Sequence, residues 1–140
     1  MSKTQDPGPP RVLIADDNRE MRNTVVRLLE GEFEVVGAVA DGRALVEAAS
    51  RLRPHIGVID ISMPLMSGIE AVAQIRKTGS DMKIVFLTVN EDNDFVNAAL
   101  ESGASAYVIK RNMVTELVHA LKETGAGRTF ISPACRVPTG

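Results

Sequence analysis

The 140-residue chain has no tryptophan, one tyrosine, one cysteine and no surplus of basic residues. A lone Cys135 cannot form an internal disulfide, which excludes the small disulfide-stapled secreted folds. No apolar run approaches the roughly 20 residues that a membrane-crossing helix needs. Lys and Arg number 16 against 18 Asp and Glu, a formal net charge of -2, so nothing global advertises a nucleic-acid-binding domain. Met1 to Pro10 lacks the basic-then-apolar pattern of a secretory signal. A reduced, cytoplasmic protein is the expectation. Against these shortages, 44% of the residues are hydrophobic, enough to build one core in a chain of single-domain length.

The first ten residues, MSKTQDPGPP, offer almost nothing to bury and have the composition of a disordered leader. From Arg11 onward, short Val- and Ile-rich runs alternate with stretches of helical period. Val12 to Ala15, Glu34 to Val39, Ile56 to Ile59, Lys83 to Leu87 and Ala106 to Ile109 are the five predicted strands. Between and after them, apolar positions recur at helical spacing: Met21, Val25, Leu28 and Leu29; Ala44, Leu45, Ala48, Ala49 and Leu52; Ile69, Val72, Ala73 and Ile75; Phe95, Val96, Ala99 and Leu100; Val114, Leu117, Val118 and Leu121. Thr129 to Ile131 is a short β-prone stub. Parallel neighbours need helical crossovers, so the pattern predicts a three-layer α/β sandwich around a parallel sheet. Ligands of such sheets bind just beyond the carboxyl ends of the strands.

Asp16 and Asp17 follow the first predicted strand, Asp60 the third, Thr88 the fourth and Lys110 the fifth. Any one of them alone is ordinary for a loop; together they put three carboxylates, a hydroxyl and an ammonium on one edge. Carboxylates so gathered need raised pKa values or a cation among them. Mg²⁺ suits a site with few protein carboxylates, several waters and a phosphate. Lys110 and Thr88 could hold two oxygens of a transferred phosphoryl group.

With VLIADDN at Val12 to Asn18, GVIDISMPLMSG at Gly57 to Gly68, IVFLT at Ile84 to Thr88 and GASAYVIK at Gly103 to Lys110, the chain resembles the receiver domain of bacterial two-component response regulators, NarL/FixJ-like group. The resemblance implies a flavodoxin-like (CheY-like) fold, five parallel strands in the order 2-1-3-4-5 with five helices. It divides the chain into a leader over 1–10, the receiver over 11–124 and a C-terminal segment or linker remnant over 125–140. It implies that Asp60 accepts a phosphoryl group from a histidine kinase or phosphotransfer protein and that Asp16, Asp17, Asp60 and the backbone carbonyl of Ser62 hold Mg²⁺. Thr88 and Lys110 would contact the phosphoryl group, and Thr88 and Tyr107 would form the conformational switch. It further implies a possible homodimer through the fourth helix, fifth strand and fifth helix. On this reading the domain is a signalling switch that assists its own phosphorylation and dephosphorylation, not an enzyme in its own right, and binds neither membrane nor nucleic acid by itself.

Some positions depart from the family pattern. Val89 follows Thr88 where many members have a small residue, Ser62 and Asn90 occupy the positions that tune dephosphorylation, and Arg111 replaces a common proline, leaving the isomer of the preceding bond open. Asn18, Arg19 and Arg22 lie where the family meets its phosphodonor. His55 and His119 are isolated from the strand-end cluster, and Met63 and Met66 are gap-fillers. GAGRTFISP, residues 125–133, resembles the segment that joins the receiver to a helix-turn-helix output domain. The chain is then either a stand-alone switch or part of a DNA-binding transcription regulator. Two further readings compete: a constitutive binding module, and an aspartyl-phosphate phosphohydrolase. The latter lacks a second acid, since Ser62 stands two residues past Asp60.

Overall fold

The protein is described here by a computed structural model covering residues 8–135. Most of the expected leader and all of the RVPTG remnant lie outside the described residues. The elements in order are β1 (Arg11–Ala15), α1 (Arg19–Leu29), β2 (Glu34–Val39), α2 (Gly42–Leu52), β3 (Ile56–Ile59), α3 (Gly68–Lys77), β4 (Lys83–Thr88), α4 (Asn93–Glu101), β5 (Ala106–Ile109), α5 (Met113–Gly125) and β6 (Phe130–Ile131). Single 3₁₀ turns follow β5 and β6.

All the strands are parallel, in the order β2-β1-β3-β4-β5-β6. β3 and β5 are buried along their whole length, which is why they appear as unbroken apolar runs. Successive side chains of a strand point to opposite faces, and the core divides accordingly. Val12, Ile14, Val58, Val85 and Val108 pack with Val25 and Leu29 of α1 and Leu117 and Leu121 of α5. Leu13, Ile59, Phe86 and Tyr107 pack with Leu45 of α2, Val72 of α3 and Val96 of α4.

Side-chain caps fix where the helices begin. Asn18 Oδ1 accepts from the Met21 amide at 2.9 Å and Asp41 Oδ1 from the Ala44 amide at 2.8 Å. Ser67 and Glu70 form a reciprocal capping box at the head of α3. These heads all lie just past strand ends, so the loops that carry the polar strand-end residues are anchored to rigid elements.

The sheet has six strands, one more than the five expected from sequence. After α5 the chain turns at Gly127, whose φ of 82° suits a residue without a side chain. A two-point ion pair from Arg128 to Glu123, at 3.0 and 2.7 Å, clamps that turn. The chain then runs back along β5, with Phe130 N donating to Ser105 O at 3.1 Å and Ser132 N to Tyr107 O at 2.8 Å. The β-prone stub is therefore a strand as far as Ile131, and it occupies the edge of β5 that a five-stranded sheet would leave open.

Candidate functional site

The parallel arrangement brings the five predicted strand-end groups to one edge. The Asp16 amide donates to Val39 O at 3.0 Å, Asp16 Oδ1 accepts from the Asn18 amide at 2.9 Å, and Arg22 Nη1 donates to Asp16 O at 2.8 Å. These three bonds leave Asp16 Oδ2 facing inward. On β3 the Asp60 amide donates to Ala15 O at 2.9 Å, and Asp60 Oδ1 receives a long 3.3 Å bond from the Ser62 amide. Lys110, just past β5, places Nζ 2.7 Å from Asp16 Oδ2 and 2.9 Å from Asp60 Oδ2. Asp16 and Asp60 are only 3% and 6% exposed, whereas Asp17 is open to solvent.

Carboxylate oxygens of Asp16, Asp17 and Asp60 lie within 4.8 Å of one another. One ammonium against three carboxylates leaves the cluster an excess of negative charge. Burial pushes the Asp60 carboxyl above its ordinary range, against the opposing pull of Lys110. Burial works to lower the Lys110 ammonium, but the two carboxylates outweigh it and hold Lys110 in its charged form beyond the usual range. Asp16 Oδ2 is buried and meets the Lys110 ammonium at 2.7 Å, with no further hydrogen-bond donor among the described residues. An under-satisfied buried oxygen among hard oxygen donors fits a divalent cation of the Mg²⁺ type.

Thr88 is fully buried, its Oγ1 accepting from the Asn90 amide at 3.3 Å. Tyr107 is also fully buried, and its hydroxyl donates to Asn90 O at 2.8 Å. The β4–α4 loop is thus tied to Thr88 from one side and to Tyr107 from the other. Burial, with smaller effects from Cys135, Asp60 and Asp92, raises the Tyr107 phenol strongly.

Two glycines that sequence patterning did not single out shape the site. A Cβ at Gly68 would lie 2.3 Å from Asp60 O, and one at Gly42 would lie 2.2 Å from Met66 O. The 61–67 loop is thereby wedged between the carboxyl end of β3 and the heads of α2 and α3. The available signal was glycine as the first residue of two helices, a position that does not need its backbone freedom.

The remaining predicted positions lie apart from the carboxylates. Arg19 is exposed at the head of α1, and Val89 is 69% exposed. Arg111 pairs with Glu91 across the site's rim, and among the described residues no peptide bond is cis, which fixes the bond before Arg111 as trans. His55 sits at the opposite edge, where its Nδ1 accepts from the Arg11 amide at 2.9 Å. His119 stacks edge-on against Phe130, and Met63 and Met66 pack on the core. A cleft of about 740 Å³ opens among Arg53, His55, Ser80 and Lys83, at the edge where the strands begin, and contains none of the five strand-end groups.

Residues 12–122 match the response regulator receiver domain family. The chain is 34% identical over 125 residues to the transcriptional regulatory protein DegU of Brevibacillus brevis, an alignment covering 88% of this chain and 53% of that protein. It is 31% identical over 136 residues to the probable transcriptional regulatory protein NarL of Mycobacterium tuberculosis, covering 96% of this chain and 62% of that one. A solved LuxR-family two-component response regulator from Aurantimonas sp. superposes with a TM-score of 0.87 at 32% identity, covering 91% of this chain and 93% of that one. The chain spans between half and two thirds of the length of these two curated relatives. Sequence, topology and the acidic strand-end cluster agree: the chain belongs to the response regulator receiver domain family.

Proposed function

We propose that Asp60 accepts a phosphoryl group from a phosphohistidine on a partner kinase or phosphotransfer protein. The observation that carries this reading is the setting of Asp60: a buried carboxylate at a strand end, 2.9 Å from Lys110 and grouped with two further carboxylates. A carboxylate oxygen of Asp60 attacks phosphorus, the P–N bond to the donor imidazole breaks, and the imidazole leaves with the bonding pair and takes a proton. Asp16 and Asp17, with Asp60 and the Ser62 carbonyl, would hold Mg²⁺, which when bound offsets negative charge on the carboxylates and on the phosphoryl oxygens.

The chain's own groups do the rest. Lys110 is a fixed ammonium able to follow charge from the Asp60 carboxylate onto the phosphoryl group. The Ser62 amide holds Asp60 Oδ1 and the Ala15 carbonyl holds the Asp60 amide, so the acceptor is oriented before the donor arrives. Thr88, at the end of the strand next to β3, would donate its hydroxyl to the phosphoryl group and give up its bond from the Asn90 amide. That exchange would loosen the β4–α4 loop, which Tyr107 grips from the other side.

The site thus assists its own phosphorylation while the domain serves as a signalling switch. Asn18, Arg19 and Arg22 at the head of α1 form the rim offered to the phosphodonor. The names of the relatives favour a transcriptional output, exerted through a DNA-binding domain where one accompanies the receiver and through protein contacts where none does. Among the described residues no helix is long and apolar enough to cross a membrane. Self-association through α4, β5 and α5 would have to accommodate β6, which is hydrogen-bonded along β5.

Intact-protein mass after incubation with acetyl phosphate, with and without Mg²⁺, tests the proposal. The expected result is a Mg²⁺-dependent gain of one phosphoryl group that Asp60→Asn abolishes. No gain in folded wild type, followed fast enough to catch a labile product, would favour a constitutive binding module instead.

A further inference from the structure

The segment after α5 is not needed to build the carboxylate cluster, yet it is attached to the end of β5 in a specific way. Parallel strands exchange evenly spaced bonds. With Ser132 N donating to Tyr107 O, a continuous ladder would send the Ile109 amide to Ser132 O. That carbonyl instead accepts from Cys135 N at 2.8 Å, because the chain turns into the 3₁₀ helix Pro133–Cys135. The Ile109 amide is met by the Ser132 side chain, donating to its Oγ at 3.0 Å. The Ser132 hydroxyl, oriented by this acceptance, donates to Glu116 Oε1 in the first turn of α5. Ser132 is fully buried, and each of its polar atoms is engaged.

Ile109 is the residue before Lys110, so the bond to Ser132 holds the backbone from which the Lys110 side chain reaches Asp16 and Asp60. The same serine holds the carbonyl of Tyr107, whose hydroxyl grips the β4–α4 loop. We propose that Ser132 is a positioning residue for Lys110, through which the C-terminal segment and the phosphoacceptor site are energetically coupled. This rests on Lys110 acting on the phosphoryl group as set out above. Coupling is reciprocal: if the segment steadies Lys110, loading the site must steady the segment's contact with Ile109.

Ser132→Ala removes the acceptor and leaves the Ile109 amide unpaired in a buried place. Phosphorylation by acetyl phosphate is expected to slow at least fivefold, with Mg²⁺ affinity, measured by titration calorimetry, within twofold of wild type. That split separates a positioning role from general loosening, since Ser132 bonds to Glu116 and to none of Asp16, Asp17 and Asp60. A wild-type rate, or parallel losses of rate and Mg²⁺ affinity, would overturn the proposal. Ser132→Cys keeps the shape with a weak acceptor and gives the same comparison if the alanine variant does not fold.

Wild type supplies a reading that needs no variant. On adding beryllofluoride with Mg²⁺, hydrogen exchange of the Ile109 amide should slow at least threefold while the β2 amides stay unchanged. Unchanged exchange at Ile109 in protein shown to bind the analogue would overturn the coupling. A wild type that gains no phosphoryl group at Asp60 would instead sink the phosphoacceptor reading, and this inference with it.

Discussion

Asp60→Asn should make the metal-free protein more stable. The wild-type carboxylate is 6% exposed and shares Lys110 with Asp16, which lies closer to the ammonium, at 2.7 Å against 2.9 Å. Its other described bond, from the Ser62 amide, is a long 3.3 Å. Asparagine has the same shape, keeps an oxygen that can accept from Lys110, and leaves the ammonium paired with Asp16. The change therefore removes a buried charge and a like-charge neighbour without orphaning the lysine. Buried ion pairs replaced by hydrophobic residues of similar volume are often neutral or stabilising by about 1–4 kcal/mol, and with a polar asparagine and one surviving ion pair a gain at the low end, about 1–2 kcal/mol, is expected here. The pH dependence follows from the raised pKa of Asp60, whose ordinary value is 3.8. The native state holds this proton more tightly than the unfolded chain does, so at neutral pH ionised Asp60 costs stability. As pH falls through the folded pKa the cost is relieved, and the advantage of the asparagine variant should shrink. Urea denaturation followed by circular dichroism, in EDTA at pH 7 and then at lower pH, measures both effects. Mg²⁺ at ten times its dissociation constant would stabilise wild type by about 1.4 kcal/mol and the variant by less, narrowing the gap. A variant less stable than wild type in EDTA at pH 7 would refute the reasoning, because the Lys110–Asp60 pair would then be worth more than its desolvation.

Two further outcomes are expected. Gly68→Ala drives a Cβ to 2.3 Å from Asp60 O, so it should cost about 1–3 kcal/mol in a urea titration and slow acetyl phosphate labelling of Asp60. A folded alanine variant with wild-type stability would mean that the 61–67 loop is free to shift. Tyr107→Phe loses the bond to Asn90 O and should cost about 1 kcal/mol at pH 8. The raised phenol pKa adds a contribution that is fully present below the ordinary pKa of 10.0 and lost as pH rises above it. Wild type should therefore lose more stability than the variant between pH 8 and pH 11. Lys110 and Cys135, also shifted upward, are common to both proteins and cancel. Equal losses would refute the assignment.

The strand-end residues were legible because a parallel sheet allows little choice. Ile56 to Ile59 is apolar throughout since helices cover both its faces, and the crossovers then force Asp60, Thr88 and Lys110 onto one edge. Strand β6 was only half legible. Phe130 and Ile131 are β-prone, but two residues become a strand through their partner, and that partner is supplied by the Gly127 turn and the Arg128–Glu123 clamp. Nor did sequence distinguish Asp16 from Asp17. The two carboxylates look equivalent on paper, yet the bonds to Val39, Asn18 and Arg22 turn the first inward and leave the second in solvent. The wedged contacts of Gly42 and Gly68 depend on the path of a loop, which composition does not encode.

Strand β6 also decides from which side the domain can be tethered. Each helix returns antiparallel to the strands, so α5 finishes at the edge where the strands begin, far from Asp60. Because β6 runs parallel to β5, it carries the chain back across the sheet at about 3.3 Å per residue. Cys135 consequently lies on the same side of the molecule as the carboxylates, within electrostatic reach of Arg111 and Glu116. The residues that end the described chain are thus carried to the carboxylate side of the sheet, on the face that packs α2, α3 and α4 and opposite α1 and α5.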